Sequence, residues 1–440
     1  MVRFVSEKKI SRRKYIAAVG AIAAAAAVGG ATYYYLQPKE KPKLRVWYRM
    51  TFIEDLNNYV RDKTLEWAEK RGVEVELSQL PFTEIYSKLT AAVEAGDPPD
   101  VSLWAPEALA AEKPERRLLL PLDDVINEIG RNDFFEASLK GHTIDGKVYC
   151  VPLWCEPYLW HIRGDVAKEY GIEIESPLSW VKAKEIAEIV NKPEADFYGL
   201  GITLGMNEDT QNQWNSLWWE FGGRYYTEKR ARGVAIDSPA TRRAVEWIVD
   251  AWEKKLIPPD AIEWDAAGNN KCYIGKRGMF VMNPASIMYA LRTSDPDLFE
   301  KTLLAPAPVT FGGTNGFHIY TTCKYPDLAK DLLVYMLSDR ELYRKAVCEA
   351  SWGYCCPVLK DVAEELKKIP YWELFAYAAE YTHPGSYPSD EPCMGLDEAG
   401  PKYIIVQMLQ KILIDKVPMD DAIRWAHDQY VEIFRKHYGD

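Results

Sequence analysis

The sequence predicts an α/β protein of two lobes, each a sheet flanked by helices. Three observations carry that prediction. The chain has 440 residues, more than one hydrophobic core ordinarily supports. Strand-period and helix-period segments alternate from Leu44 onward, the pattern of a largely parallel sheet. Two Pro-punctuated extended stretches fit crossings between lobes.

The first residues address the protein rather than fold it. Lys8, Lys9, Arg12, Arg13 and Lys14 make a basic head over 1–14, and no charged residue occurs from Tyr15 to Leu36. At ~1.5 Å per residue such a stretch reaches ~30 Å, the thickness of a bilayer core. The basic flank should stay inside while the bulk of the chain is exported. Ser11-Arg12-Arg13-Lys14-Tyr15-Ile16 resembles the twin-arginine export signal, with Tyr and Ile where that signal has Phe and Leu. An ordinary basic head for general secretion is the alternative. No Cys follows the apolar stretch before Cys150, which excludes a lipoprotein anchor. The stretch is either cleaved near Gly29-Gly30-Ala31 or kept as a membrane anchor over 15–36, and the Pro- and charge-rich 37–43 is a solvated linker.

The body begins with Leu44 to Tyr48, which alternates as a strand; Leu56, Tyr59, Val60, Trp67 and Ala68 recur at helical spacing, and Val73, Val75 and Leu77 restore period two. A second helix near Tyr86 to Ala95 ends at Gly96, and Asp97-Pro98-Pro99 leads into a strand to Trp104. Ligands of such sheets sit beyond the carboxyl ends of the strands, where Trp47, Arg49, Trp104 and Glu107 fall. Cys150 to Pro157 is extended and predicts a crossing with a hinge near Trp154. Helices follow over Pro177 to Val190 and Ala240 to Lys254, Ala305-Pro306-Ala307-Pro308 marks a return crossing, and a final amphipathic helix starts at Met419. These boundaries assign 44–153 with about 305–350 to a first lobe, and 154–304 with about 351–440 to a second.

Composition narrows the function. The net charge of −11 is spread out, and no Lys/Arg cluster beyond short pairs occurs in the body, which argues against nucleic acid. Fifteen Trp and 27 Tyr against 13 Phe favour rings with an apolar face and a polar edge. Eight Cys without a CxxC or HExxH pattern predict no metal site and no cofactor. Some of them could pair as disulfides outside the cytoplasm, with free buried thiols as the alternative.

The order of segments resembles the extracellular solute-binding proteins of ABC importers, in the family that contains the maltose-binding proteins. The resemblance rests on Tyr86 to Leu89, Ala95 to Val101, Leu120-Pro121-Leu122, Asp145 to Tyr149, Glu220 to Gly223, Gly275 to Met279 and Tyr325 to Ser338. It implies a type II periplasmic-binding-protein-like fold with the ligand cleft between the lobes. It also implies a non-catalytic monomer that captures a sugar by lobe closure and hands it to a permease dimer with cytoplasmic ATPases. Trp104 and Glu107 match an aromatic and an acidic sugar contact, and Glu156 an acidic residue past the hinge. Tyr86, Trp47, Trp214 and Tyr403 fall near other contact positions. A Trp that stacks on sugar in the family's second lobe falls near Ala285 here, so Trp214, Trp218, Trp352 or Tyr354 would supply that face.

Such residues suit a pyranose, which offers C–H groups on one face and hydroxyls around its rim. Stacked rings take the face, and Glu107, Glu156, Asn283 and Asn315 are candidate acceptors for the rim. Arg49, if turned inward, would favour an anion. A polyol, phosphorylated polyol or peptide is the alternative ligand. An exported glycosidase would also want Trp platforms and two carboxylates, but the chain has no GxSxG elbow and no phosphate-binding loop.

Overall fold

The computed structural model describes residues 41–227 and 233–439; the basic head, the apolar stretch and most of the linker lie outside them. In β1 (Lys43–Arg49), Leu44, Val46 and Tyr48 are buried on one face, and Arg45, Trp47 and Arg49 share the other. Helix α1 (Glu54–Arg71) opens on Glu54 and Asp55 and closes on Lys70 and Arg71, charges that complement its dipole. It stops at Gly72, whose φ of 67° turns its N–H back to the carbonyls of Ala68 and Glu69. Then come β2 (Glu74–Leu80), α2 (Phe82–Glu94), β3 (Val101–Leu103) and the short α3 (Glu107–Ala111). Both β2 and β3 lie parallel to β1, one on each side.

Two strands in sequence carry the chain between lobes. Strand β4 (Val151–Pro157) belongs to the first sheet and β5 (Leu159–Arg163), one residue later, to the second. The second lobe adds α4 (Trp180–Val190), β6 (Tyr198–Leu200), α5 (Glu208–Glu220), α6 (Pro239–Glu253), β7 (Gly278–Asn283), α7 (Ser286–Ser294) and β8 (Thr302–Ala305). Side chains of Ser179, Asn207 and Ser238 cap α4, α5 and α6 by accepting a backbone N–H from the first turn. The return runs through Pro306 and Pro308 into β9 (Thr310–Ile319), followed by α8 (Pro326–Met336) and β10 (Thr382–His383). Helices α9 (Met394–Ala399), α10 (Ile404–Leu413) and α11 (Met419–Tyr438) complete the second lobe.

The first sheet has the order β10-β9-β3-β1-β2 with β4 also paired to β9, and the second β8-β5-β7-β6. The two crossings lie side by side, because β4 and β9 pair antiparallel from Val151 with Phe317 to Pro157 with Gly312. A register shift between Asn315 and Gly316 bends this ladder.

The second lobe packs around Trp160, Trp180, Trp214, Trp218 and Trp247. Nine of the fifteen tryptophans are buried, so most of the unusual Trp content builds core. One boundary read from sequence needs correction. Residues 351–440 do not stay together: Cys355, Cys356, Val358, Leu359, Val362, Leu366, Trp372 and Phe375 join the core of the first lobe. Cys155 and Cys356 exchange backbone hydrogen bonds of 2.9 and 2.8 Å, which ties this segment to β4. From Tyr387 onward the chain packs in the second lobe. Composition is apolar and helical on both sides of that change, so only the packing partner reveals it. All eight cysteines are free and buried.

Candidate functional site

At the carboxyl end of β1, Arg49 is 7% exposed and joins both crossings. Its Nη1 donates to Glu156 Oε1 at 3.1 Å on β4 and to Asn315 Oδ1 at 2.7 Å on β9. Its Nη2 lies 3.5 Å from the Tyr354 hydroxyl. Burial opposes the guanidinium charge, but Glu156, Tyr354 and Glu208 together outweigh it and the pKa is raised. Glu156 Oε1 also accepts from Trp154 Nε1 at 2.7 Å. Four residues named from the sequence, Arg49, Glu156, Asn315 and Tyr354, thus meet in one cluster at the hinge. Trp47, half-buried, shares the Arg49 face of β1.

A second group lines the approach of the lobes. The Trp104 and Tyr86 rings lie 4.7 Å apart, and Tyr86 donates its hydroxyl to the backbone oxygen of Asp397 at 2.9 Å. Trp104 holds a φ of 88°, a region that side chains rarely enter. Its carbonyl accepts from Ser102 Oγ at 2.7 Å and its N–H bonds Gly316 O at 2.9 Å. From the second lobe, Asp397 Oδ2 accepts the N–H groups of Ala108 at 2.9 Å and Leu109 at 3.2 Å, at the amino end of α3. Glu112 answers from the first lobe, accepting Met394 N at 2.8 Å and the Tyr438 hydroxyl at 2.9 Å. Burial pushes the Asp397 carboxyl up to about 7 against the pull of the two N–H groups.

Glu208, at the start of α5, is missed by the sequence reading. It is open to solvent, yet Arg49 and Glu156 of the first lobe act on it electrostatically, and it acts in turn on Tyr86 and Tyr403. The facing lobe partly screens its carboxyl from water and raises it above the usual range, with Arg49 opposing. Tyr403, at φ 48° and half-buried, is raised by burial and by this carboxylate. Nothing in the sequence beyond a capping Asn207 and two acids in a first turn marks Glu208.

Other sequence candidates face inward. Trp214 and Trp218 stack at 5.9 Å in the second core, 2% and 0% exposed, and Trp218 Nε1 donates to Thr241 Oγ1 at 3.0 Å. Asn283 uses both amide hydrogens internally, on Asn270 Oδ1 at 2.6 Å and Ser286 Oγ at 2.9 Å, and accepts from Asn269 at 2.9 Å. Glu107 is 8% exposed, and its Oε2 sits 2.6 Å from His142 Nδ1. Burial disfavours its charge, but His142 and His318 outweigh it and hold the carboxyl down at about 2. None of these four is free to meet a solute. Trp352, at φ 53°, is gripped by Phe299, Tyr371 and the Arg292 guanidinium 5.0 Å from its ring.

Two α/β lobes joined by paired crossing strands, with aromatic and charged side chains gathered where they meet, define the two-lobed class of solute receptors. The family of bacterial extracellular solute-binding proteins matches residues 51–342, and the chain belongs to that family. Among curated relatives, a binding protein of Brucella abortus is 23% identical over 251 residues, 57% of this chain. The aligned stretch spans 60% of that relative's length. Among solved structures, a Thermotoga lettingae ABC transporter solute-binding protein bound with alpha-D-tagatose superposes with a TM-score of 0.74 at 20% identity, covering 90% of this chain and 100% of the other. A maltose-bound T. maritima protein has a TM-score of 0.71 at 18% identity, covering 88% and 98%. An Arthrobacter chlorophenolicus sugar transporter with bound laminaribiose has a TM-score of 0.71 at 15% identity, covering 89% and 98%. The fold is therefore the two-lobed one expected. Among the described residues no helix is long and apolar enough to cross a membrane; the stretch 15–36 lies outside them.

Proposed function

We propose that this chain is the extracytoplasmic substrate-capturing component of an ABC importer, binding a carbohydrate between its lobes and delivering it to a membrane permease. The observation that carries this reading is the meeting of aromatic faces and acceptors from both lobes: Trp47, Tyr86 and Trp104 on one side, Glu208 and Tyr403 on the other, with Glu156 and Asn315 at the hinge. Rings stack on the apolar face of a pyranose, and charge-assisted hydrogen bonds of about 1.5–3 kcal/mol take its hydroxyls. The sugars held by the Thermotoga and Arthrobacter neighbours support the same class.

A neutral solute suits the electrostatics better than an anion. Arg49 is already engaged by Glu156 and Asn315, and Glu208 adds negative charge opposite it. The contacts of Asp397 with α3 and of Glu112 with α9 bridge the lobes and would form as they close on ligand. The uncharged stretch 15–36 would hold the receptor at the outer membrane face if it is retained, after twin-arginine or general export.

A thermal-shift screen of residues 39–440 against saccharides, polyols, amino acids and peptides tests the reading. A ligand at 100 times its Kd adds about 2.7 kcal/mol of stability. Stabilisation by one saccharide class, recovered unaltered, supports the proposal. Stabilisation by peptides or anions alone removes the sugar, and cleavage of the saccharide removes the receptor.

A further inference from the structure

Behind α3, inside the first lobe, three side chains that the solute reading does not use converge. His142, Cys150 and His318 are buried and bring one ligand atom each to within 4.8 Å of the others. His142 follows the helix Glu136–Lys140, Cys150 precedes β4, and His318 lies on β9. Sequence separations of this size conceal the cluster from any spacing pattern, and the expectation of no metal site rested on such patterns.

The hydrogen-bond inventory is what makes the cluster unusual. Buried polar atoms almost always make a hydrogen bond, yet His142 Nε2 and both ring nitrogens of His318 make none, in residues 8% and 3% exposed; His318 Nε2 stands 3.7 Å from Glu107 Oε2, too far for one, and Cys150 faces both rings. The other nitrogen of His142, Nδ1, lies 2.6 Å from Glu107 Oε2. A carboxylate accepting Nδ1–H selects the tautomer whose Nε2 lone pair is free, the arrangement that orients histidine on metals. Gly316 belongs to the same construction: a Cβ there would come within 2.5 Å of Cys150 Sγ. The register shift in β9 beside it leaves that space to the sulfur.

We propose that His142, Cys150 and His318 bind one thiophilic first-row ion, zinc or copper, with Glu107 as the residue that orients His142. Thiolate with two imidazoles is a donor set for these ions and not for calcium or magnesium. Metal–sulfur and metal–nitrogen bonds of about 2.3 and 2.0–2.1 Å place donors about 3.3–4 Å apart. The 4.8 Å bound on the cluster needs only a small contraction to reach that. Binding requires Cys150 as thiolate and a lone pair on each imidazole, so the protons these three groups carry in the metal-free chain leave to solvent, and one dication with one thiolate and the Glu107 carboxylate leaves the buried site neutral.

Cobalt(II) is the probe. The full chain, purified under reducing conditions and stripped with chelator, is expected to take up one cobalt per chain with a near-ultraviolet thiolate-to-cobalt band, displaced by one equivalent of zinc or copper. Elemental analysis after exposure to both names the ion, and retention of either supports the site. Cys150→Ala should abolish the band while Cys323→Ala, another buried thiol of this lobe, keeps it. Glu107→Gln should keep the band and weaken the ion's affinity by about 10–100-fold. If Cys150→Ala does not accumulate as folded protein, His318→Gln carries the same test. Folded wild-type chain that takes up no metal, or a band that survives Cys150→Ala and His318→Gln, overturns the proposal.

Discussion

Glu107 and Glu156 each stand close behind a tryptophan, and the fold sends them in opposite directions. Glu156, two residues after Trp154, lies at the hinge and pairs with Arg49 where the lobes meet. Glu107, three residues after Trp104, turns inward onto His142 and His318. Both carboxylates have cationic or imidazole neighbours, so neither is a solvated surface group. What separates them is which partner arrives from elsewhere in the chain: an arginine from the end of β1 in one case, and histidines from a helix end and from β9 in the other. An acidic residue near an aromatic is thus no guide to its own role until the strands that pack beside it are known.

That contrast can be broken by substitution. Arg49→Ala leaves the largely buried Glu156 without its cation, and chemical denaturation should register a loss of about 3–5 kcal/mol. Glu156→Gln in the same background should restore part of that stability. The control for core against cleft is Trp218→Ala, which should also lose about 3–5 kcal/mol while the folded fraction keeps, by calorimetry, the affinity proposed for a saccharide. Trp104→Ala should do the reverse, lowering affinity by about 2 kcal/mol, roughly 30-fold, with little change in denaturation midpoint. Glu156→Gln alone should weaken the saccharide about tenfold through loss of a charge-assisted acceptor, and Glu107→Gln should leave that affinity where it was. Equal effects of the two Gln variants would erase the distinction.

The last test concerns the bridge between lobes. The Asp397 carboxyl sits at about 7 in the folded protein and at about 3.9 in an unfolded chain. Between those values the unfolded state has released its proton while the folded state retains it, so this group's contribution to stability falls as pH rises from about 4 to about 7. Buried His161, held down at about 4, pulls the other way over nearly the same window. The quantity to measure is therefore the difference in stability between wild type and Asp397→Asn across pH. It should decline through that window and be flat on either side.

Much of the architecture was legible because it is local. The strand at Leu44, the helix through Trp67 stopped by Gly72, the extended path at Cys150 to Pro157 and the final helix at Met419 each announce themselves through period and punctuation. Less legible was anything decided at long range. Helix α4 begins at Trp180 and not at Pro177, because Ser179 takes the capping bond. The segment 351–379 reads like its successor and packs in the other lobe. At the site, Arg49, Glu156, Asn315 and Tyr354 were named from strand ends, the family resemblance and loop position, and they do meet. Trp214, Trp218 and Asn283 were named by residue type near expected positions, and helix rotation and an Asn-rich network turned them inward. Glu208 and Asp397 went unseen, since each depends on contacts that only the meeting of two lobes creates.

Trp104, Trp352 and Tyr403 share one awkward property: each holds a backbone conformation suited to glycine or asparagine. Such conformations cost about 1–3 kcal/mol each. A redesign aimed only at heat resistance would replace all three, and a small residue at Trp104 or Tyr403 would remove one of the rings proposed to meet the solute. On the proposed function, thermal robustness and ligand capture therefore pull on the same positions in opposite directions. A library selected for melting temperature alone is expected to drift toward a sturdier protein that no longer holds its cargo.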